Sequence, residues 1–202
     1  MLAVFDLDGT IIDSADAILE SHDAAWASVG VKRPAKEDIL SLTGLPLIEI
    51  MQKLGPEQDP VALAEVYSKT YVKATCHERL FEGIIDLLAR PFRAAVATGK
   101  SQRGADRVIK EFGFSDRFEV VLGGNSVSKP KPNPDLLFSI MEKTGTKDIV
   151  MIGDTTYDLE MAHAAGVKGI GVSWGHHTSE ELRKWAPVVN SVEELGLLLK
   201  VW

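Results

Sequence analysis

Asp6 and Asp8 stand two residues apart at the end of the apolar run 2–5. Side chains two apart in an extended chain project to the same side. Two carboxylates held that close repel each other unless a cation or a proton lies between them. The pair therefore points to a hard metal such as Mg²⁺, to acid/base or nucleophilic work, or to both. Alone, an Asp-x-Asp is equally well a solvated turn, but three later stretches answer it. Thr98-Gly99 offers a hydroxyl and a backbone N–H at a helix start, suited to an anionic oxygen. Lys129 or Lys131, in the basic proline-rich loop 128–135, offers a point charge, and Asp154 and Asp158 add two carboxylates. Each has a plainer role as N-cap, surface lysine or turn residue. As a set they match phosphoryl transfer: a carboxylate nucleophile, a metal between anions, a lysine and a hydroxyl on the transferring oxygens, and a second carboxyl group for the proton.

These groups need elements that bring them together. Apolar runs at 2–5, 93–97, 118–122, 149–152 and 169–172 read as short buried strands, separated by helical stretches near 84–89, closing at Gly113, opening after the loop 128–135 and closing at Gly166. Strand and helix in alternation give a parallel sheet covered on both faces, with all strand ends opening on one edge. That edge is where such sheets bind ligands. Between the first strand and the rest, residues 15–79 carry only helical signals. Ser14 is placed to cap a helix whose stripe is Ala15, Ile18, Leu19, His22, Ala25, Trp26 and Val29. Further helices follow at 36–42, at 46–55 starting on Pro46, and from Asp59-Pro60 to 74. Ser191 and Glu194 form a capping box before a last helix. The expectation is a Rossmann-like, doubly wound α/β core of residues 1–14 and 80–202, with 15–79 inserted as a small all-helical cap over the strand ends.

The chain has 202 residues, 45% of them apolar and 25% charged, as in an ordinary globular protein. A net charge of −7 argues against nucleic acid or an anionic membrane as partner. Cys76 is the single cysteine, so no internal disulfide forms; it reads as a buried, inert thiol. The first residues lack a basic segment and their apolar run breaks at Asp6, so neither a signal peptide nor a membrane span is expected. The expected setting is the cytoplasm, and the expected form a monomer or homodimer. His22 reads as either a substrate-facing or a packing residue, His176-His177 as loop residues, and Lys32, Arg33, Lys53, Lys69 and Lys73 as a mostly solvated face, one of them within reach of a substrate carboxylate.

Phe5-Asp-Leu-Asp-Gly-Thr10, Val96-Ala-Thr-Gly-Lys100, Lys131-Pro-Asn-Pro-Asp135 and Gly153-Asp-Thr-Thr-Tyr-Asp158 resemble, in order, the four motifs of the haloacid dehalogenase superfamily. The helical insert is similar to the cap of its phosphoglycolate phosphatase and β-phosphoglucomutase branch. The resemblance implies Asp6 as nucleophile and Mg²⁺ ligand, and Asp8 as general acid/base with its backbone carbonyl toward the metal. Thr98, Gly99 and Lys100 would bind the phosphorylated substrate. Lys131, preferred over Lys129, would hold the transferring group, Asp154 would bind the metal, and Asp158 would support the metal or the lysine. Because the superfamily's dehalogenases lack the second aspartate, Asp8 argues for phosphoryl transfer, and Thr10 looks more like the phosphatases than the mutases, so the resemblance implies a phosphatase of small phosphorylated metabolites. A phosphomutase and a phospho-accepting signalling domain are the alternatives.

Overall fold

A computed structural model describes residues 1–74 and 77–199; Cys76, expected as a buried thiol, lies outside them. In chain order the elements are β1 (Leu2–Phe5), β2 (Ile12–Asp13), α1 (Ala15–Ser28), α2 (Lys36–Ser41), α3 (Leu47–Leu54), α4 (Pro60–Ala74) and β3 (Arg79–Leu80). Then come α5 (Ile84–Leu88), β4 (Arg93–Ala97), α6 (Gln102–Glu111), β5 (Val121–Leu122), α7 (Asp135–Thr144) and β6 (Ile149–Gly153). The chain continues through α8 (Thr156–Ala164), β7 (Lys168–Val172), α9 (Ser179–Leu182), β8 (Val188–Val189) and α10 (Val192–Leu198).

Six strands form one parallel sheet in the order β5-β4-β1-β6-β7-β8. The central strands β1 and β6 are apolar throughout, and β4 is apolar after its exposed first residue Arg93, because both faces are covered. Ala3, Phe5, Ala94, Val96, Val150 and Ile152 pack on one side with Leu87, Val108 and Leu195. Leu2, Val4, Ala95, Ala97, Ile149 and Met151 pack on the other with Leu136, Ile140 and Met161. The period of two thus divides each strand between two cores. Phe5 is level with both Val96 and Ile152. Asp6, Thr98 and Asp154 therefore leave the sheet on one edge. From β1 the chain moves outward to β4 and β5, then crosses back to β6 on the opposite side of β1. Asp6 and Asp154 follow the two strands flanking this reversal, where doubly wound sheets bind ligands.

Helices α1 to α4 lie between β2 and β3, two short strands that pair antiparallel (Ile12 with Leu80, Asp13 with Arg79). They have their own apolar cluster of Ala25, Trp26, Met51, Leu63 and Ala64. Asp59 caps α4 as expected, its carboxylate accepting from the Val61 and Ala62 amides.

Several expectations need correction. The buried stripe of α1 is Ala17, Ile18, Ser21, His22, Ala25 and Trp26, so Ala15, Leu19 and Val29 lie outside it. Ser14 occupies the N-cap position of α1 but makes no capping bond; its hydroxyl is turned to Asp8. Pro46 is the N-cap of α3 rather than its first residue. The strand expected at 118–122 is regular only at Val121–Leu122, although Glu119 and Val120 still bond to β4. The pairings of β2, β3 and β8 and the single turn of α9 were not anticipated, because elements of two to four residues carry no periodic signal. No helix among the described residues is long and apolar enough to cross a membrane.

Candidate active site

The chain leaves β1 through a tight loop in which the Leu7 carbonyl accepts from the amides of Thr10, Ile11 and Ile12. Gly9 has φ +79°, and a Cβ there would stand 2.1 Å from Asp154 Oδ2. Only glycine lets this loop lie against Asp154. Thr10 completes the contact by donating its hydroxyl to Asp154 Oδ1 at 2.9 Å.

Asp6, Asp154 and Asp158 are buried, and each offers a carboxylate oxygen within 4.8 Å of the others. The three are not equivalent. Asp158 is already engaged: Oδ1 takes the Lys131 ammonium at 2.5 Å, and Oδ2 accepts from the Thr155 hydroxyl at 2.7 Å and its amide at 3.2 Å. Asp154 accepts one bond on each oxygen, from Thr10 and from the His176 amide at 2.8 Å, which leaves lone pairs on both. Among the described residues Asp6 Oδ2 meets no donor and Oδ1 meets only Lys131, although both oxygens are buried. The Lys131 ammonium faces Asp6 Oδ1 as an ion pair at 3.0 Å. Burial pushes the Asp6 carboxyl up to about 6, with Lys131 opposing and Asp158 and Asp8 adding to the rise. Burial also raises Asp154, offset by His176 and reinforced by Asp6. Burial alone would lower the Lys131 ammonium, but Asp158 and Asp6 hold it above its usual range. Two aspartates with unsatisfied acceptor capacity, both disfavoured as anions, fit a hard divalent cation that takes oxygen ligands. Of the three, Asp6 and Asp154 keep the most acceptor capacity, while Asp158 already binds Lys131 and Thr155.

Asp8 faces another set of partners. Its Oδ1 accepts from Ser14 Oγ and pairs with the Lys100 ammonium at 2.9 Å. Its side chain is not among the three clustered carboxylates. Lys100 also meets the Tyr71 hydroxyl at 2.7 Å and Glu78 Oε1 at 3.4 Å. Lys100, expected to bind substrate, thus stands between Asp8 and the helical segment. Thr98 is buried, its amide bonded to the Leu122 carbonyl and its Oγ1 accepting from the Lys100 amide, so the hydroxyl proton remains to be donated. The N-cap role belongs to Ser101, whose side chain accepts from Gly104. Gly99 lies against Gly44 of the α2–α3 loop.

Of the residues singled out from sequence, Asp6, Lys131, Asp154 and Asp158 come together directly, while Asp8 and Lys100 form a neighbouring pair. Lys129 is exposed and Lys131 is 1% exposed. His22 is a packing residue: it accepts from Trp26 at 3.3 Å, lies edge-on to Tyr67, and burial lowers it to about 4, with Arg33 adding and Asp23 opposing. The His176 amide holds Asp154. His177 Nδ1 accepts from the Thr156 amide, which leaves the proton on Nε2 for the Ser41 carbonyl at 2.9 Å. Arg33 pairs with Asp23, Lys53 with Glu49 and Lys69 with Glu65. Sequence reasoning does not reach the bond from Ser14 to Asp8, because Ser14 fits an N-cap by type and place. Tyr71, Glu78 and Arg107 carry no motif; they meet because α4, the return linker and α6 converge.

The chain matches the family described as haloacid dehalogenase-like hydrolase over residues 3–172 and belongs to it. It is 31% identical to the probable phosphatase IndB of Dickeya dadantii over 93% of this chain and 87% of that protein. It is 29% identical to tyrosine-protein kinase PtkA of Mycobacterium tuberculosis over 93% of this chain and 67% of that one. The crystal structure of a predicted phosphatase from Clostridium acetobutylicum superposes with a TM-score of 0.90 at 25% identity, covering 100% of this chain and 98% of the other. The fold is that of the family, and the chain is a hydrolase of it.

Proposed function

We propose that the chain is a magnesium-dependent phosphatase of small phosphorylated metabolites, of the phosphoglycolate phosphatase type, working through an aspartyl-phosphate on Asp6. Residues 15–79 act as the cap over a core of 1–14 and 80–202. The observation that carries this reading is Asp6 itself: a buried carboxylate whose Oδ2 meets no donor among the described residues and whose Oδ1 meets only the Lys131 ammonium, at 3.0 Å. A structural aspartate would be saturated with donors, as Asp158 is.

A metal ion on Asp6 and Asp154 would supply positive charge that offsets the repulsion between nucleophile and phosphoryl group. An Asp6 oxygen attacks phosphorus, and the bond from phosphorus to the ester oxygen breaks. Asp8 delivers a proton to that departing oxygen. Lys131, held by Asp158, and the Thr98 hydroxyl stabilise charge on the transferring oxygens. Asp8 then takes a proton from water as its oxygen attacks phosphorus; the bond to Asp6 breaks and phosphate leaves. The close approach of Gly44, in the α2–α3 loop, to Gly99 supports a cap that lies over the proposed phosphoryl-binding residues and excludes bulk water.

The test is steady phosphate release from a panel of small phosphomonoesters with Mg²⁺, abolished by a chelator. Full turnover after exhaustive chelation would contradict the metal. With β-glucose 1-phosphate and a trace of the 1,6-bisphosphate, glucose 6-phosphate appearing much faster than phosphate would make the chain a mutase.

A further inference from the structure

We propose that Glu78 is a positioning residue for the reaction: a buried anion in the return linker that holds Lys100 on Asp8 and fastens α4 to the catalytic edge. The proposal rests on the reading of Asp8 as proton donor. Glu78 has a fully buried side chain and lies immediately before β3, where the chain passes from the helical segment back to the core. A buried carboxylate is costly unless paired and hydrogen-bonded. Glu78 is saturated by three elements at once. Oε1 accepts from the Tyr71 hydroxyl of α4 at 2.5 Å and faces Lys100 Nζ at 3.4 Å; Oε2 accepts from Arg107 of α6 at 2.8 Å.

Lys100 is the hinge of this arrangement. Its ammonium reaches Asp8 Oδ1 at 2.9 Å and the Tyr71 hydroxyl at 2.7 Å, and stands 4.3 Å from the Tyr71 ring centroid. Arg107 is fixed in turn by Glu111 at 2.6 Å. Glu78 thus gives Lys100 a second counter-ion besides Asp8, and Tyr71 bridges the two. Without Glu78, Asp8 and Tyr71 remain as the ammonium's partners among the described residues. Asp8 Oδ1, which already accepts from Ser14, would then carry the whole of it. The place of α4 also reaches Asp8 through these contacts, so docking of the helical segment and the geometry of the proton donor are linked.

A residue that works through Asp8 must share its kinetic signature. Loss of proton donation hurts poor leaving groups most, because good ones depart without a proton. kcat/KM isolates phosphoenzyme formation, the step in which the leaving group takes its proton. For Glu78→Gln we expect kcat/KM to fall about tenfold or more with an alkyl phosphate, within the ~10²–10⁴-fold worth of the proton donor itself. With p-nitrophenyl phosphate the fall in kcat/KM should be under about threefold. In a cycle with Asp8→Asn, measured as kcat/KM on the alkyl phosphate, the two losses should not add, since both act on one contact network. Tyr71→Phe, which removes one hydroxyl and keeps the ring, should reproduce the pattern more weakly and serves if Glu78→Gln does not fold. Equal losses on both substrates, or additive losses in the cycle, would overturn the proposal and give Glu78 a merely structural role. If Asp8→Asn itself has no leaving-group dependence, the reading of Asp8 fails; the cycle still reports whether Glu78 and Asp8 are coupled.

Discussion

Gly99 faces the carbonyl oxygen of Gly44 so closely that a Cβ on Gly99 would stand 2.3 Å from it. The neighbour is backbone, so it cannot swing aside as a flexible side chain would. Gly99→Ala should push the α2–α3 loop off the catalytic edge. Misplacement of about 1 Å costs up to ~100-fold in rate, and kcat/KM for small phosphomonoesters should drop accordingly. Steady-state kinetics with a crystal structure of the variant would check this. Unchanged kinetics would mean that the contact does not matter in turnover.

The two candidate lysines separate in the same manner. Lys131 is buried between Asp6 and Asp158, whereas Lys129 is exposed. Removing one partner of a buried pair leaves uncompensated charge and costs about 3–5 kcal/mol. Lys131→Met should therefore lose both activity and thermal stability, while Lys129→Ala should stay within about 0.5 kcal/mol of the parent. Thermal melts and phosphate-release assays on both variants give the ranking; the reverse ranking would move the functional lysine two residues upstream.

Asp6 should cost the metal-free protein stability. Burial raises its carboxyl from 3.8 to about 6. Between these pH values the folded state binds more protons than the unfolded one, so stability falls as pH rises through the window. Asparagine imitates the protonated form. In chelator, Asp6→Asn should melt higher than the parent above pH 6, by on the order of 1–3 kcal/mol, and the advantage should vanish below about pH 4. A variant less stable at neutral pH would mean that Lys131 more than offsets the burial.

Metal binding has a readout apart from catalysis. An ion that binds only the folded state stabilises it by mass action. Mg²⁺ should raise the melting temperature of the parent and not that of Asp154→Asn, whose side chain keeps its shape but loses its charge. An equal rise in both would remove Asp154 from the metal site.

What was legible in the sequence follows the strand ends. Asp6, Thr98 and Asp154 each sit directly after, or one residue beyond, a short apolar run, and a parallel sheet must gather such positions on one edge. Lys131 and Asp158 stood near enough to the motifs to be included. Glu78, Tyr71 and Arg107 were not legible, because their meeting depends on how α4 docks, and docking leaves no period in the chain. Ser14 illustrates a rule that competed and lost: it fits an N-cap by type and place, yet its hydroxyl goes to the buried Asp8.

The most direct test of the central claim is the chemical identity of the phosphorylated residue. Asp8→Asn should still accept phosphoryl from a substrate with a good leaving group, but should hydrolyse the adduct slowly because water is no longer activated. The variant would be incubated with p-nitrophenyl phosphate and Mg²⁺, quenched in acid, and mapped by peptide mass spectrometry. The account predicts an acid-stable, base-labile phosphoryl group on Asp6, absent from the Asp6→Asn/Asp8→Asn double variant. Phosphoryl on any other residue, or turnover by the Asp6→Asn protein at near the parent rate, would contradict it.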